Sequence, residues 1–70
     1  MFAEVIYPIP LNRRFTYKVP KEMQSVLKPG MRVTAPFERR LLTGFVRRIK
    51  DELTQEEQGY EIKPLREIID

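Results

Sequence analysis

Leu27-Lys28-Pro29-Gly30-Met31-Arg32-Val33-Thr34-Ala35-Pro36-Phe37-Glu38-Arg39-Arg40-Leu41-Leu42-Thr43-Gly44-Phe45-Val46-Arg47-Arg48-Ile49 is the stretch on which the fold turns. It opens with a turn signal, Leu27 to Gly30, because Pro-Gly stops whatever precedes it. Met31, Val33 and Ala35 then alternate with Arg32 and Thr34, and period two over such a run marks a half-buried strand. Pro36 to Arg40 breaks that strand. A second apolar run, Leu41 to Val46, ends in Arg47-Arg48-Ile49. The stretch therefore predicts a hairpin whose connecting loop carries Arg39 and Arg40. Arg47 and Arg48, as neighbours on a strand, are expected on opposite faces, so that at most one belongs to a given patch. Gly30 reads as a turn residue needing positive φ, and Gly44 as a bulge or barrel bend.

Working outward, Phe2 to Tyr7 is a strand with Ala3, Val5 and Tyr7 on one face and Phe2, Glu4 and Ile6 on the other. Pro8 and Pro10 end it or place it at an edge. Leu11 to Arg14 is a loop holding Arg13 and Arg14. Phe15, Tyr17 and Val19 share one side of the next strand, which Pro20 closes. Lys21 to Leu27 has room for one helical turn, and Pro29-Gly30 prevents a longer one. Asp51 to Gly59 is a polar, acidic surface loop. Glu61 to Ile69 is the last strand, with Pro64 arguing for an edge or a bulge. Short strands at regular spacing predict an all-β fold, a small antiparallel OB-like or Greek-key barrel of about five or six strands. Residues 1–70 read as a single domain.

Seventy residues bury only roughly 60% of the unfolded surface, so stability is expected to be marginal. There is no cysteine and no histidine. That removes disulfides, thiolate metal sites and the usual general base at neutral pH. Glu56, Glu57 and Glu61 form no convincing catalytic pair, and no glycine-rich phosphate loop exists. An enzyme is therefore not expected. No apolar run approaches the roughly 20 residues that span a bilayer, and no basic leader precedes Phe2-Ala3-Glu4-Val5. No membrane is expected, and a reducing cytoplasm suits a chain without cysteine. Charge is uneven: residues 1–50 hold eleven Lys/Arg against three Glu, a net of +8, and residues 51–70 hold two against seven acids, a net of −5. A basic body suits a polyanion, although ordinary solvated ion pairs read the same way. The acidic loop is expected to mark the face that does not bind.

The order of motifs carries a resemblance. Val5-Ile6-Tyr7-Pro8-Ile9-Pro10-Leu11, Arg14-Phe15-Thr16-Tyr17-Lys18-Val19-Pro20, Leu27 to Phe37, Gly44-Phe45-Val46 and Ile62 to Asp70 follow one another as in the extreme N-terminus of the PriA (primosomal protein N′) replication-restart helicase family, which the chain resembles over nearly its whole length. The resemblance implies a non-catalytic 3′-DNA-binding barrel that captures the 3′ end of a nascent strand at a stalled fork. It implies a parent ATP-dependent 3′-to-5′ DNA helicase in the bacterial cytoplasm, with ATP, Mg and Zn as its cofactors and none in this segment. Partners implied are DNA with a free 3′ end, forked DNA, single-strand-binding protein and other primosome proteins.

The family pocket, carried over position by position, uses an aromatic at Phe15, an acidic residue where Thr16 stands, a glycine where Glu38 stands, and a lysine at Lys63. Thr16 keeps hydrogen-bonding capacity without the charge, and Glu38 is the candidate to supply the missing carboxylate. Arg13, Arg14, Arg39 and Arg40 are the candidate phosphate contacts, and the cavity they wall is expected to be positive. Each assignment has a plainer alternative. Phe15 suits the core, Thr16 is a good strand residue, and Lys63 and the arginines suit solvated surfaces. Two other functions fit the same residues: a general single-stranded nucleic-acid or RNA-binding barrel without end selectivity, and a protein–protein module.

Overall fold

A computed structural model of the chain describes residues 1–10 and 15–69. Five strands form one antiparallel sheet: β1 Phe2–Ile6, β2 Phe15–Lys18, β3 Arg32–Phe37, β4 Arg40–Lys50 and β5 Glu67–Ile68. Their order across the sheet is β2-β1-β4-β3-β5. The C-terminal segment closes this sheet on itself. Arg66 and Ile69 donate backbone N–H to the carbonyls of Thr34 and Arg32 on β3. On the other side, Lys18 of β2 donates to the Lys63 carbonyl and accepts from the Leu65 N–H, forming a parallel bridge at Pro64. One short segment thus pairs with part of each outer edge, which shortens the exposed edges of the five-stranded sheet. The expected small all-β barrel is what forms. Two single 3₁₀ turns, Lys21–Met23 and Glu57–Gly59, sit where helical turns have room.

The alternation read from the sequence sets the core. Ala3, Val5, Tyr7, Tyr17, Val19, Val33, Ala35 and Val46 are buried, joined by Leu27 and Leu65. The core is built mostly of alanine and valine, and its large members are tyrosines with satisfied hydroxyls. Tyr17 donates to the Pro36 carbonyl at 2.8 Å. Tyr7, 2.6 Å from the Tyr17 hydroxyl, is therefore the donor of that second bond. No helix among the described residues is long and apolar enough to cross a membrane.

Three expectations need correction. The connection between β3 and β4 is not a five-residue loop. Pro36 pairs with Leu41 and Phe37 with Arg40, leaving only Glu38 and Arg39 as the turn. Pro36 is tolerated because its missing N–H faces away from β4, on the edge that β5 does not reach. The turn needs left-handed backbone at its first position, and Glu38 supplies it with φ +57°. Second, Arg47 and Arg48 do not diverge. Glu4 pairs with Arg48 while Val5 pairs with Val46, so Arg47 is the extra residue of a β-bulge. Both arginines consequently reach the same carboxylate, Glu4, at 3.2 and 3.5 Å. Third, the Glu61–Ile69 strand contracts to β5 and the Pro64 bridge, because the segment changes partner from β2 to β3 midway.

Glycine is required twice. Gly30 takes φ +94° in the turn before β3. At Gly44 a Cβ would lie 2.7 Å from Val5 Cγ1, 2.8 Å from the Ile6 carbonyl oxygen and 2.9 Å from Tyr7 Cδ1. The expected barrel bend is thus a close backbone approach between β4 and β1. Gly44→Ala should lower stability by roughly 1–3 kcal/mol through overpacking. A urea midpoint equal to that of the unaltered chain would contradict this packing.

Candidate nucleic-acid interface

The barrel is not closed along its full height. Residues 63–65 bond to β2 at Lys18, and β5 covers β3 at Val33 and Thr34. Toward Phe15 on β2 and Phe37 on β3, no described strand lies between the two edges. A cleft of about 700 Å³ occupies this seam. The Phe15-Thr16 pair, Glu38 and Lys63, from three separate parts of the sequence, all line it. The Tyr17 hydroxyl spans the seam to Pro36 and holds its two sides together.

The aromatic wall is preorganised. Phe15 and Phe37 meet edge to face with ring centroids 5.1 Å apart, and Tyr7 lies behind both at 5.5 and 5.4 Å. Phe15 is half-buried, so it serves the core with one side and the cleft with the other. Tyr60, exposed on the same cleft, adds a further ring. Burial pushes the Tyr7 hydroxyl well above the usual tyrosine range and raises that of Tyr17, so both stay protonated as donors.

The electrostatics differ from expectation. The acidic segment does not face away: Glu56, Glu57 and Glu61 line the cleft with Glu4 and Glu38, against the two cations Lys50 and Lys63. The reason is a buried charge. Lys50, at the end of β4, is only 8% exposed and must be paired; it binds Glu57 at 2.6 Å and Glu4 at 3.2 Å. That pairing draws the 51–62 segment onto the barrel. Burial would lower the Lys50 pKa, but its bonds to Glu57 and Glu4 raise it overall.

Glu57 is the residue that sequence reasoning missed. Burial alone would push its carboxyl up, but hydrogen bonds from Lys50, Thr16 and the Thr54 N–H outweigh burial and hold it at about 2. The Thr16 hydroxyl donates to Glu57 Oε2, and the Thr54 N–H donates to Oε1 at 2.8 Å. Glu57 therefore contributes a carboxylate bonded to Thr16, while Glu38 adds another to the same cleft. Nothing distinguishes Glu57 from its acidic neighbours in the sequence. Tyr60 did carry a signal, as the lone aromatic of a polar segment. Arg39 and Arg40 are exposed at the Glu38 turn and do not line the cleft. Arg13 and Arg14 lie outside the described residues. No group of three or more His, Cys, Asp or Glu among the described residues is placed to hold a metal.

Comparison with known proteins gives the family. The 3′DNA-binding domain (3′BD) family profile of PriA matches residues 4–70. The chain is 35% identical over 72 aligned positions to the replication restart protein PriA of Bacillus subtilis (strain 168), covering 99% of this chain. It spans about 9% of that relative's length.

The depressed Glu57 pKa has a consequence for stability. In the unfolded chain the group titrates near 4.5 and in the fold at about 2. The unfolded state therefore binds the proton first, and stability contributed by Glu57 is present above about pH 4.5 and is lost as pH falls toward 2. Urea midpoints measured across this window should fall with acid, and Glu57→Gln should make the slope shallower. Identical slopes would mean that the carboxylate is not held as described.

Proposed function

We propose, from the premise that this chain belongs to the 3′DNA-binding domain family of PriA, that its cleft receives the free 3′ end of a DNA strand and so directs a replication-restart protein to forked DNA. The chain is a DNA-binding module of that family; capture of an end is our reading. One observation carries it. The four positions to which the family resemblance points converge on a single open cleft.

The chemistry follows from the walls. A terminal base stacks against the Phe15 and Phe37 edge, and a stack of this kind is worth about 1–3 kcal/mol for any base. Lys63 stands exposed on the cleft and reaches toward a phosphate, which supplies affinity without sequence information. Arg39 and Arg40 offer further cations past the Glu38 turn. The carboxylates inside disfavour phosphate, so the backbone of the strand stays outside and its terminus enters. A strand continuing past its 3′ position would bring another phosphate into that acidic space. No step of bond making or breaking is involved.

The test uses labelled oligonucleotides ending in a 3′-hydroxyl, in a 3′-phosphate or in an internal continuation, titrated at two salt concentrations. Preference for the hydroxyl end is expected. Equal binding of all three would favour a general single-strand barrel, and absence of salt-dependent binding would favour a protein-docking role. Phe15→Ala should weaken hydroxyl-end binding by about tenfold or more. Lys63→Ala should weaken all sequences equally and reduce the salt slope by about one. A change confined to one sequence would contradict the phosphate role.

A further inference from the structure

The Glu57 carboxylate is fixed from several directions, yet it is not saturated. Oε1 accepts from Lys50 Nζ and the Thr54 N–H, and Oε2 accepts from the Thr16 hydroxyl. A carboxylate has about four lone-pair sites. The described donors fill three, and the remaining acceptor position is on Oε2, the oxygen next to Thr16. The Thr16 hydroxyl directs its hydrogen to Glu57, so its own oxygen also presents lone pairs. The two side chains form an acceptor-only corner on the cleft that Phe15 also lines, with a fixed negative charge.

We propose that Glu57 is the specificity-determining residue of the cleft: its Oε2 accepts a hydrogen bond from a hydroxyl on the terminal sugar and repels a phosphate at the same place. This rests on the end-capture reading and adds its discriminating element. A hydroxyl is a donor and meets an unfilled acceptor. A terminal phosphate has acceptor oxygens and a charge of about −2 at neutral pH, and it meets a carboxylate with nothing to donate. Lys50 does not rescue it, because Glu4 and Glu57 already neutralise that ammonium on both sides. The selectivity therefore lies in a residue 41 positions from Thr16 in sequence, delivered by the acidic segment. Sites that hydrogen-bond a ligand group discriminate strongly against a ligand lacking it, since the buried partner is left unpaired.

The experiment compares Glu57→Gln and Glu38→Gln with the unaltered chain, reading the ratio of affinities for oligonucleotides ending in 3′-hydroxyl and 3′-phosphate. Glu57→Gln should reduce that ratio by about tenfold, through weaker hydroxyl-end binding and stronger phosphate-end binding. Glu38→Gln removes one cleft carboxylate but leaves the Thr16–Glu57 pair intact, and should lower the ratio by about threefold at most, clearly less than Glu57→Gln. A preserved ratio in Glu57→Gln, or loss in Glu38→Gln instead, overturns the assignment to Glu57 while end capture stands. No hydroxyl preference in the unaltered chain overturns end capture itself. Should Glu57→Gln not fold, Thr16→Val keeps the Lys50–Glu57 pair and removes only the hydroxyl that orients Oε2. It should lower the ratio by about threefold or more, and an unchanged ratio there also refutes the proposal.

Discussion

A lysine ammonium withdrawn from water has to be neutralised, and much of this molecule follows from how Lys50 is neutralised. It ends the longest strand, is almost fully covered, and sits between Glu4 of β1 and Glu57 of the acidic segment. An uncompensated buried charge would cost several kcal/mol, so the segment carrying Glu57 is bound to the barrel wall. Glu4 is itself buried and is served by Lys50, Arg47 and Arg48 together. The bulge at Arg47 makes that possible, because only an inserted residue brings consecutive arginines to one partner. Local irregularity in the strand and charge compensation on its outer face are the same event.

The cleft inherits its character from this arrangement. Its floor is aromatic, since Phe15 and Phe37 end the two strands that β5 fails to join. Its wall is acidic, since the segment delivering Glu57 also brings Glu56, Tyr60 and Glu61. An acidic cleft in a domain of net charge +3 separates two roles that a uniformly basic surface would merge. On the end-capture reading, phosphates are attracted to the body of the molecule and kept from the seam, and stacking, being insensitive to base identity, suits ends of any sequence.

Glu38 illustrates a conformational demand that outlasts the residue type. The two-residue turn between β3 and β4 requires left-handed backbone at its first position, and Glu38 takes φ +57° there. That conformation costs an L-residue roughly 1–2 kcal/mol. The family's glycine at this place is thereby intelligible as backbone geometry. A glutamate there changes the turn's energy and adds one more carboxylate to the cleft.

The amino-acid sequence by itself determined the first four strands in outline, the inward set Ala3, Val5, Tyr7, Tyr17, Val19, Val33 and Ala35, and the turn at Gly30. These are properties of neighbours along the chain, where alternation and proline or glycine punctuation act locally. It also pointed to Phe15, Thr16, Glu38 and Lys63, because their motifs keep a recognisable order. Tertiary structure alone decided the rest. The bulge that unites Arg47 and Arg48 depends on register with β1, and the exchange of partners by residues 63–69 depends on where two edges come to lie. The carboxylate bonded to Thr16 comes from Glu57 because a lysine with a covered side chain draws it there. Periodicity encodes which face a residue occupies, but the partner of a charge is set by distances that exist only once the barrel has closed.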